Sequence, residues 1–250
     1  MDSLLFPSGQ CAVLQLFRFE GAMARTWGAY QMILSRVFTP SFPGLQFIKP
    51  LGIGSGHGYR AWPKWEASGF FMVFESAEAA KAFRARSEFM KFLEKSGENY
   101  CIFMTPTSSR GAWSGFNDWE LNQELDSSGL VCSLTRATLK PEFLYRFWKM
   151  VNPISLEQKD YQGLIFSQGI GELPLVEQAT FTVWESVRYM ETFARQTFHG
   201  EAVREVYRLN GFKEQMFTRF FPWYSEGTWG GKDALAPYLS QKIPPVFSVY

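Results

Sequence analysis

The chain repeats itself, and this repeat constrains the fold more than any other feature of its 250 residues. Residues 69–95 (GFFMVFESAEAAKAFRARSEFMKFLEK) parallel residues 179–205 (ATFTVWESVRYMETFARQTFHGEAVRE), about 110 positions later. In both segments a β-prone run ends in an aromatic-Glu-Ser triplet, and a helix-forming stretch follows. Gly-Ile-Gly at 52–54 likewise matches 169–171, and RGAWSG at 110–115 matches EGTWGG at 226–231. Several matches in one order indicate a tandem duplication.

Each half has the order β-α-β-β-α-β, which is the ferredoxin-like unit. Pro141 suits the first position of a helix, and Ser76 and Ser186 suit N-caps. In each half a second strand leads into the Gly-Ile-Gly turn. The other predicted elements of the first half are a strand at 12–19, a helix at 23–37 and strands at 69–75 and 99–106. In the second half they are a strand at 130–139, a helix at 141–151 and strands at 178–185 and 214–222.

Two ferredoxin-like sheets can bury their bare faces against each other within one chain. The sequence therefore predicts an α+β fold in which two tandem repeats form an intrachain dimeric α/β-barrel. We predict a first repeat at 1–115, a polar linker at 116–129, a second repeat at 130–231 that carries the functional site, and a proline-broken C-terminal tail at 232–250.

Composition excludes some classes of function. The formal charge is only +1, which gives no basic face for nucleic acid. Three cysteines form no zinc pattern and fit a reducing cytoplasm. The N-terminus does not resemble a signal peptide, and no apolar run approaches the ~20 residues of a membrane span. The aromatic fraction of 18% fits either an aromatic core or a roomy apolar pocket.

His199 is one of two histidines, and it lies between two amphipathic helical patterns. Aligning Phe89-Met90 with Phe198-His199 places Met90 opposite His199, so only the second half has an imidazole here. Neutral imidazole is the commonest metal ligand, and an asymmetric residue in a duplicated frame fits a site that one half has kept. A surface histidine without a function fits the same observation.

Six blocks of the chain, in order, resemble the spheroidene monooxygenase family over roughly residues 13–231. That family is one of haem-dependent oxygenases that modify carotenoids. The resemblance implies a b-type haem, dioxygen, an electron donor and a small apolar organic substrate such as an acyclic carotenoid, which is hydroxylated or ketolated. It also implies that His199 is the proximal haem ligand. The blocks are LFRFEGAMARTWGAYQM, PGLQFIKPLGIGSG, SLTRATLKPEFLYRFWKMV, IGELPLVEQATFTVWES, FARQTFHGEAVREV and GTWGG.

Other residues of the second half complete the predicted site. Cys132 is the rival axial ligand, because thiolate also drives oxygen activation, while His57 is read as a loop residue. Because side chains alternate along a strand, only one of Thr135 and Arg136 can face the site. Further cofactor-binding candidates are Phe181, Phe198 and Arg195. The catalytic candidates are Arg136, Gln178, Thr180 and Arg219.

Besides a duplicated barrel that binds no haem, two other functions remain open at this point. One is a haem enzyme of different chemistry, such as N-oxygenation or dehydration of a small nitrogen compound; the other is a non-catalytic haem-binding barrel. The absence of a second histidine near these strands disfavours a dehydratase with histidine acid catalysis. The expected location is cytoplasmic, with peripheral contact to a membrane and homodimerisation both compatible with the sequence.

Overall fold

The computed structural model describes residues 7–37, 41–54, 63–127, 129–149, 161–173, 175–196 and 208–239. The strands are β1 (Cys11–Arg18), β2 (Leu45–Gly54), β3 (Pro63–Phe74), β4 (Glu98–Gly111), β5 (Val131–Leu139), β6 (Leu164–Gly171), β7 (Glu177–Trp184) and β8 (Phe212–Gly227). The helices are α1 (Gly21–Val37), α2 (Ala77–Arg84), α3 (Ser87–Lys95), α4 (Val187–Gln196) and the single turn α5 (Ala236–Leu239). Short 3-10 helices span Gln123–Ser127 and Pro141–Phe143, and residues 144–149 continue the second of these as helix.

The eight strands close into an antiparallel barrel in the order β1-β3-β2-β6-β7-β5-β8-β4. Each half contributes four strands in the ferredoxin-like order, with its first strand between its fourth and third. The predicted intrachain barrel is confirmed. Its interior is apolar, because one face of every strand points inward and the two sheets bury these faces together.

Local sequence signals act as predicted at the helix starts. The backbone N–H of Ala79 donates to Ser76 Oγ at 3.2 Å at the start of α2. Before α4, the N–H of Tyr189 donates to Ser186 Oγ at 3.4 Å. Pro141 lies in the first turn of its helix, where its missing N–H costs nothing.

The Gly-Ile-Gly motifs lie inside strands β2 and β6, not in turns as predicted. They pair with each other at the seam between the halves, Gly52 with Gly171 and Ile53 with Ile170. Gly52 also pairs with Ser68, and Gly171 with Gln178, 110 positions after Ser68. The structural counterpart of Gly52 is therefore Gly171, so the sequence match with Gly169 is out of register by two residues.

Segments outside the strands cover the two ends of the barrel. Trp113 and the partly buried Phe116 and Trp119 pack on the core at one end, so the predicted linker is partly structural. Leu235 and Leu239 enter the core cluster at the other end. The predicted tail is thus anchored through residue 239, where Asp233 accepts hydrogen bonds from the backbone N–H of Leu235 and Ala236.

Candidate functional site

The outer face of the second-half sheet carries small and polar side chains. Alternation along β5 turns Ser133, Thr135 and Ala137 outward, because Cys132 and Leu134 face the barrel core. Thr180 and Thr182 of β7 pair with Thr135 and Ser133 on the same face. Thr135 is exposed although β5 is flanked by β7 and β8. The described part of the helix layer therefore leaves the middle of this face open.

The first half has larger side chains at the equivalent positions, and most of them are apolar; the exception is the buried Gln15, which corresponds to Thr135. Strands β1 and β3 pair in the same register as β5 and β7, so each residue of the first pair has a counterpart in the second. By this correspondence Val13 matches Ser133 and Phe17 matches Ala137. Phe70 and Met72 correspond in the same way to Thr180 and Thr182, and Phe103 corresponds to Arg219. These first-half residues form a closed cluster beneath α1, α2 and α3. Within the described residues, the outer face of the second-half sheet therefore carries smaller side chains than its tightly packed twin.

Aromatic rings fill the first-half layer between sheet and helix. The ring centroid of Phe89, on α3, lies 5.8 Å from that of Phe17 and 6.3 Å from that of Phe70. Phe92, one turn later, lies 5.3 Å from each of the same two rings. In the second half α4 covers only one end of the face, where Met190 and Phe193 pack on Trp184.

Three of the predicted site residues share this open face. Gln178 and Thr180 alternate onto it from β7, and Arg219 reaches it from β8. The Arg219 guanidinium donates to Glu191 of α4 at 2.8 Å, and Glu191 also pairs with the exposed Arg195 at 3.0 Å. Arg195 therefore lies at the rim of the face, in contact with solvent.

Two other predicted residues lie on the opposite side of the sheet. Phe181 is fully buried in the barrel core. Arg136 is 2% exposed and also points inward, which leaves Thr135 as the member of this adjacent pair on the open face. The sheet therefore separates both residues from Gln178, Thr180 and Arg219. Both His199 and Phe198, as well as His57, lie outside the described residues.

Arg136 is the centre of an ion-pair network near one end of the barrel. Its guanidinium contacts Glu172 at 3.1 Å, Glu177 at 3.4 Å and Glu214. Burial and the neighbouring Glu172 raise the pKa of Glu177. Burial alone would raise the pKa of Glu214, but backbone N–H groups and Arg136 lower it below its ordinary value. These partners give Arg136 a structural reason to be buried.

The described residues offer little else that could bind a metal ion. They contain no group of three His, Cys, Asp or Glu side chains arranged to hold one. Cys132, the rival axial ligand, is fully buried in the barrel core, and burial raises the pKa of its thiol well above the ordinary range. A thiolate is therefore disfavoured there, and the thiol is on the other side of the sheet from Thr135.

One cavity was not predicted from the sequence, although the predicted site residue Gln178 is part of its lining. A pocket of about 320 Å³ lies between α1 and the strands at the β2–β6 seam. Its lining includes Phe19, Met32, Trp65 and glycines of both Gly-Ile-Gly motifs. Ile53 and Ile170 belong to the barrel core, so alternation turns the flanking glycines to the outer side of the strands, and the paired motifs were the available signal. Among the described helices, none combines the length and apolar character needed to cross a bilayer.

Sequence comparison finds close relatives over nearly the whole chain. The spheroidene monooxygenase of Rhodobacter capsulatus is 37% identical over 92% of this chain and 98% of its own length. The spheroidene monooxygenase of Rubrivivax gelatinosus is 35% identical over 90% of this chain and 86% of its own length. That of Cereibacter sphaeroides is 32% identical over 93% of this chain and 73% of its own length. No family model matches the chain.

Solved structures show the same fold at low sequence identity. An aldoxime dehydratase in complex with butyraldoxime is 8% identical, with a TM-score of 0.56 over 86% of this chain and 80% of that one. Another aldoxime dehydratase structure is 10% identical, with a TM-score of 0.52 over 87% of this chain and 84% of that one. These similarities support the tandem ferredoxin-like architecture and carry no argument about chemistry.

Proposed function

Because the chain belongs to the spheroidene monooxygenase family, we propose that it uses haem b to insert oxygen into an acyclic carotenoid. The family makes the chain a monooxygenase; the proposal adds the cofactor and the substrate. One atom of dioxygen enters the apolar substrate and the other leaves as water. This balance requires two electrons and two protons from a separate electron donor.

The contrast between the two outer sheet faces carries the proposal. A flat cofactor between sheet and helices needs small side chains beneath it. The second half supplies Ala137, Thr180 and Thr182 where the first half has Phe17, Phe70 and Met72. The exposed Thr135 lies next to Thr180 in the same open area. The described residues of this face therefore fit a planar group such as haem.

The repeat also supports His199 as the residue that would hold the haem iron. A constant spacing of 110 relates Phe74 to Trp184 and the buried Phe83 to the buried Phe193. At that spacing the counterpart of His199 is Phe89. This is one position before Met90, which the alignment of Phe89-Met90 with Phe198-His199 places opposite His199. Phe89 faces the first-half sheet, whereas Met90 is 38% exposed. In the first half this position is therefore one that contacts the sheet, which supports the choice of His199 over a residue at an exposed position.

The remaining side chains on the face have roles that follow from their chemistry. The Thr135 and Thr180 hydroxyls and the Gln178 amide can donate hydrogen bonds to a polar group held at this face. Arg219 already binds the Glu191 carboxylate, and a guanidinium there can hold a carboxylate of the cofactor in the same way. When bound, haem would supply the activation of dioxygen.

Absorption spectra of the purified chain supplied with haem test the cofactor. We expect a Soret band that His199→Ala removes or strongly shifts and that His57→Ala leaves unchanged. Thr180→Phe restores the side chain of the packed first half, so it should lower haem affinity about tenfold, as expected for overpacking. Thr26→Phe on the exposed side of α1 is its matched control.

Several outcomes would contradict this assignment. Absence of a Soret band in the wild type would remove the cofactor. A band that survives in His199→Ala and is lost in Cys132→Ala would move the axial ligand to the barrel core. The substrate is tested separately, with the haem-loaded chain, a reductant, isotopically labelled dioxygen and a detergent-solubilised acyclic carotenoid. We expect the label in the carotenoid product; turnover of an aldoxime in its place would favour dehydration chemistry.

A further inference from the structure

Helix α1 exposes an apolar stripe to solvent. Met23, Tyr30, Ile33 and Val37 are each more than half exposed, and Met23 is 88% exposed. Their spacings of 7, 3 and 4 residues place them on one side of the helix. The opposite side is buried through Gly28 and Met32 against the barrel. Thr26, which is also exposed, lies between Met23 and Tyr30 on this side, so the α1 stripe is mainly apolar.

The α1 stripe adjoins the mouth of the pocket beneath the helix. Ile33 belongs both to the stripe and to the pocket lining. Trp65, which is 75% exposed, and the exposed Leu173 line the same pocket from the strand side. Exposed apolar side chains thus surround an opening that leads to an apolar cavity at the β2–β6 seam.

The charged residues of α1 and of the pocket lining are all positive. Helix α1 contains Arg25 and Arg36 and no acidic residue. Arg36 and Lys64 line the pocket next to Ile33 and Trp65. Glu20 precedes the helix but lies against Gly97, near the start of β4. An apolar stripe flanked by cations is the pattern of a helix that lies on an anionic lipid surface.

We propose that the α1 stripe and Trp65 dock the protein on an anionic membrane surface, with the pocket as the entry for an apolar substrate leaving the lipid. This inference rests on the proposed function, because an acyclic carotenoid is a hydrocarbon that dissolves in a bilayer and not in water. Docking of this kind is interfacial: α1 lies in the plane of the lipid head groups. A second copy of the chain is the competing occupant of the same stripe.

Flotation of the purified full chain with lipid vesicles tests the docking. The vesicles are phosphatidylcholine alone or phosphatidylcholine with phosphatidylglycerol. Binding should be stronger to the anionic vesicles, and Met23→Ser with Tyr30→Ser should lower it at least about tenfold, because two apolar contacts with lipid are lost. Neither residue lines the pocket. The matched control is Met90→Ser with Tyr145→Ser, which removes exposed residues elsewhere and should leave binding unchanged.

The charge contribution is tested independently of the apolar one. Arg25→Gln with Arg36→Gln should lower binding to anionic vesicles by about fivefold for each charge removed and leave binding to neutral vesicles unchanged. Arg110→Gln, an exposed arginine of β4, is the control and should change neither. Equal losses from the control variants would overturn the assignment of the surface to α1.

Other results separate this inference from the proposed function. Absence of vesicle binding, together with oxygenation of a detergent-solubilised carotenoid, would refute the docking and leave the function intact. Vesicle binding that depends on Met23 and Tyr30 supports the docking even if no haem is bound. A dimer in solution that these two substitutions dissociate, without vesicle binding, would identify the stripe as a protein interface and overturn the proposal.

Discussion

Replacing Arg136 by Met should destabilise the fold while leaving the open face of the second half intact. The sequence suggested a catalytic role for Arg136, but its guanidinium lies inside the barrel among Glu172, Glu177 and Glu214. Methionine has a similar length and no charge, so it leaves three carboxylates near the end of the barrel with Lys49 as the remaining cation, paired to Glu172 at 2.9 Å. The main effect is therefore electrostatic rather than a change in packing volume.

The expected loss can be worked out from burial. Removing one partner of a buried ion pair costs about 3–5 kcal/mol. The carboxylates are 14–28% exposed, and solvent screening places the expected loss near the lower end, about 3 kcal/mol. That is a large part of the roughly 5–15 kcal/mol by which a typical domain is stable. The contact of Arg136 with the Trp113 ring, 5.9 Å from its centroid, adds to the loss.

Urea denaturation followed by circular dichroism measures this loss. The exposed Arg110→Met is the control and should lie within about 0.5 kcal/mol of wild type. The deficit of Arg136→Met should shrink at acid pH, because protonation of Glu177, whose pKa is already raised, relieves the repulsion. A loss below about 1 kcal/mol would refute the structural reading. Normal stability with haem bound but oxygenation abolished would instead assign Arg136 to catalysis.

Two further predictions concern the fold. Gly69→Ala should lower the free energy of unfolding, measured by urea denaturation, by about 1–3 kcal/mol, because a Cβ there would collide with the Gln15 backbone oxygen. The neighbouring Ser68→Ala is the control. An equal loss in both variants would contradict the collision. Burial alone would raise the pKa of Glu98, but the N–H groups of Gly231 and Gly230, with Arg18, lower it. The stability that the Glu98 carboxylate contributes is therefore present above the pKa it has in the unfolded chain and is lost as pH falls through its lower pKa in the folded chain. Glu98→Gln should make the stability depend less on pH in acid denaturation. Glu142→Gln, at an exposed position, should leave the pH dependence unchanged.

Much of the architecture followed from local patterns. The aromatic-Glu-Ser triplets marked where a strand ends and a helix begins, because Ser76 and Ser186 cap the helix N-terminus in either half. The repeat predicted two ferredoxin-like sheets, and the apolar inner faces of both sheets require burial, which leads to the closed barrel. The exact pairing of the Gly-Ile-Gly motifs did not follow, because a repeated tripeptide does not fix register. The bonds of Gly52 to β3 and of Gly171 to β7 place these two residues, and not Gly169, at equivalent positions.

The candidate site depended on information that no local pattern contains. Alternation shows that Thr135 and Arg136 lie on opposite faces of β5, but only closure of the barrel decides which face is the interior. Phe181 was predicted at the site for its aromatic character, and the same closure buries it in the core. The α1 stripe is visible as a spacing of apolar residues. Its position beside a pocket is set by the contact of α1 with strands that are distant in sequence.

The duplication, the order of the secondary-structure elements and the family could be read from the chain alone, and the family resemblance added His199 as a candidate ligand. These properties are fixed by residue identity and spacing along the chain. The arrangement of the strands in space was needed to show that the described helices leave Thr135 exposed on the outer face of the second half and that Arg136 belongs to a buried ion-pair network. It also placed the exposed residues of α1 at the mouth of a cavity. Burial and contact depend on which side of a closed sheet a residue occupies, and closure joins strands that are distant along the chain.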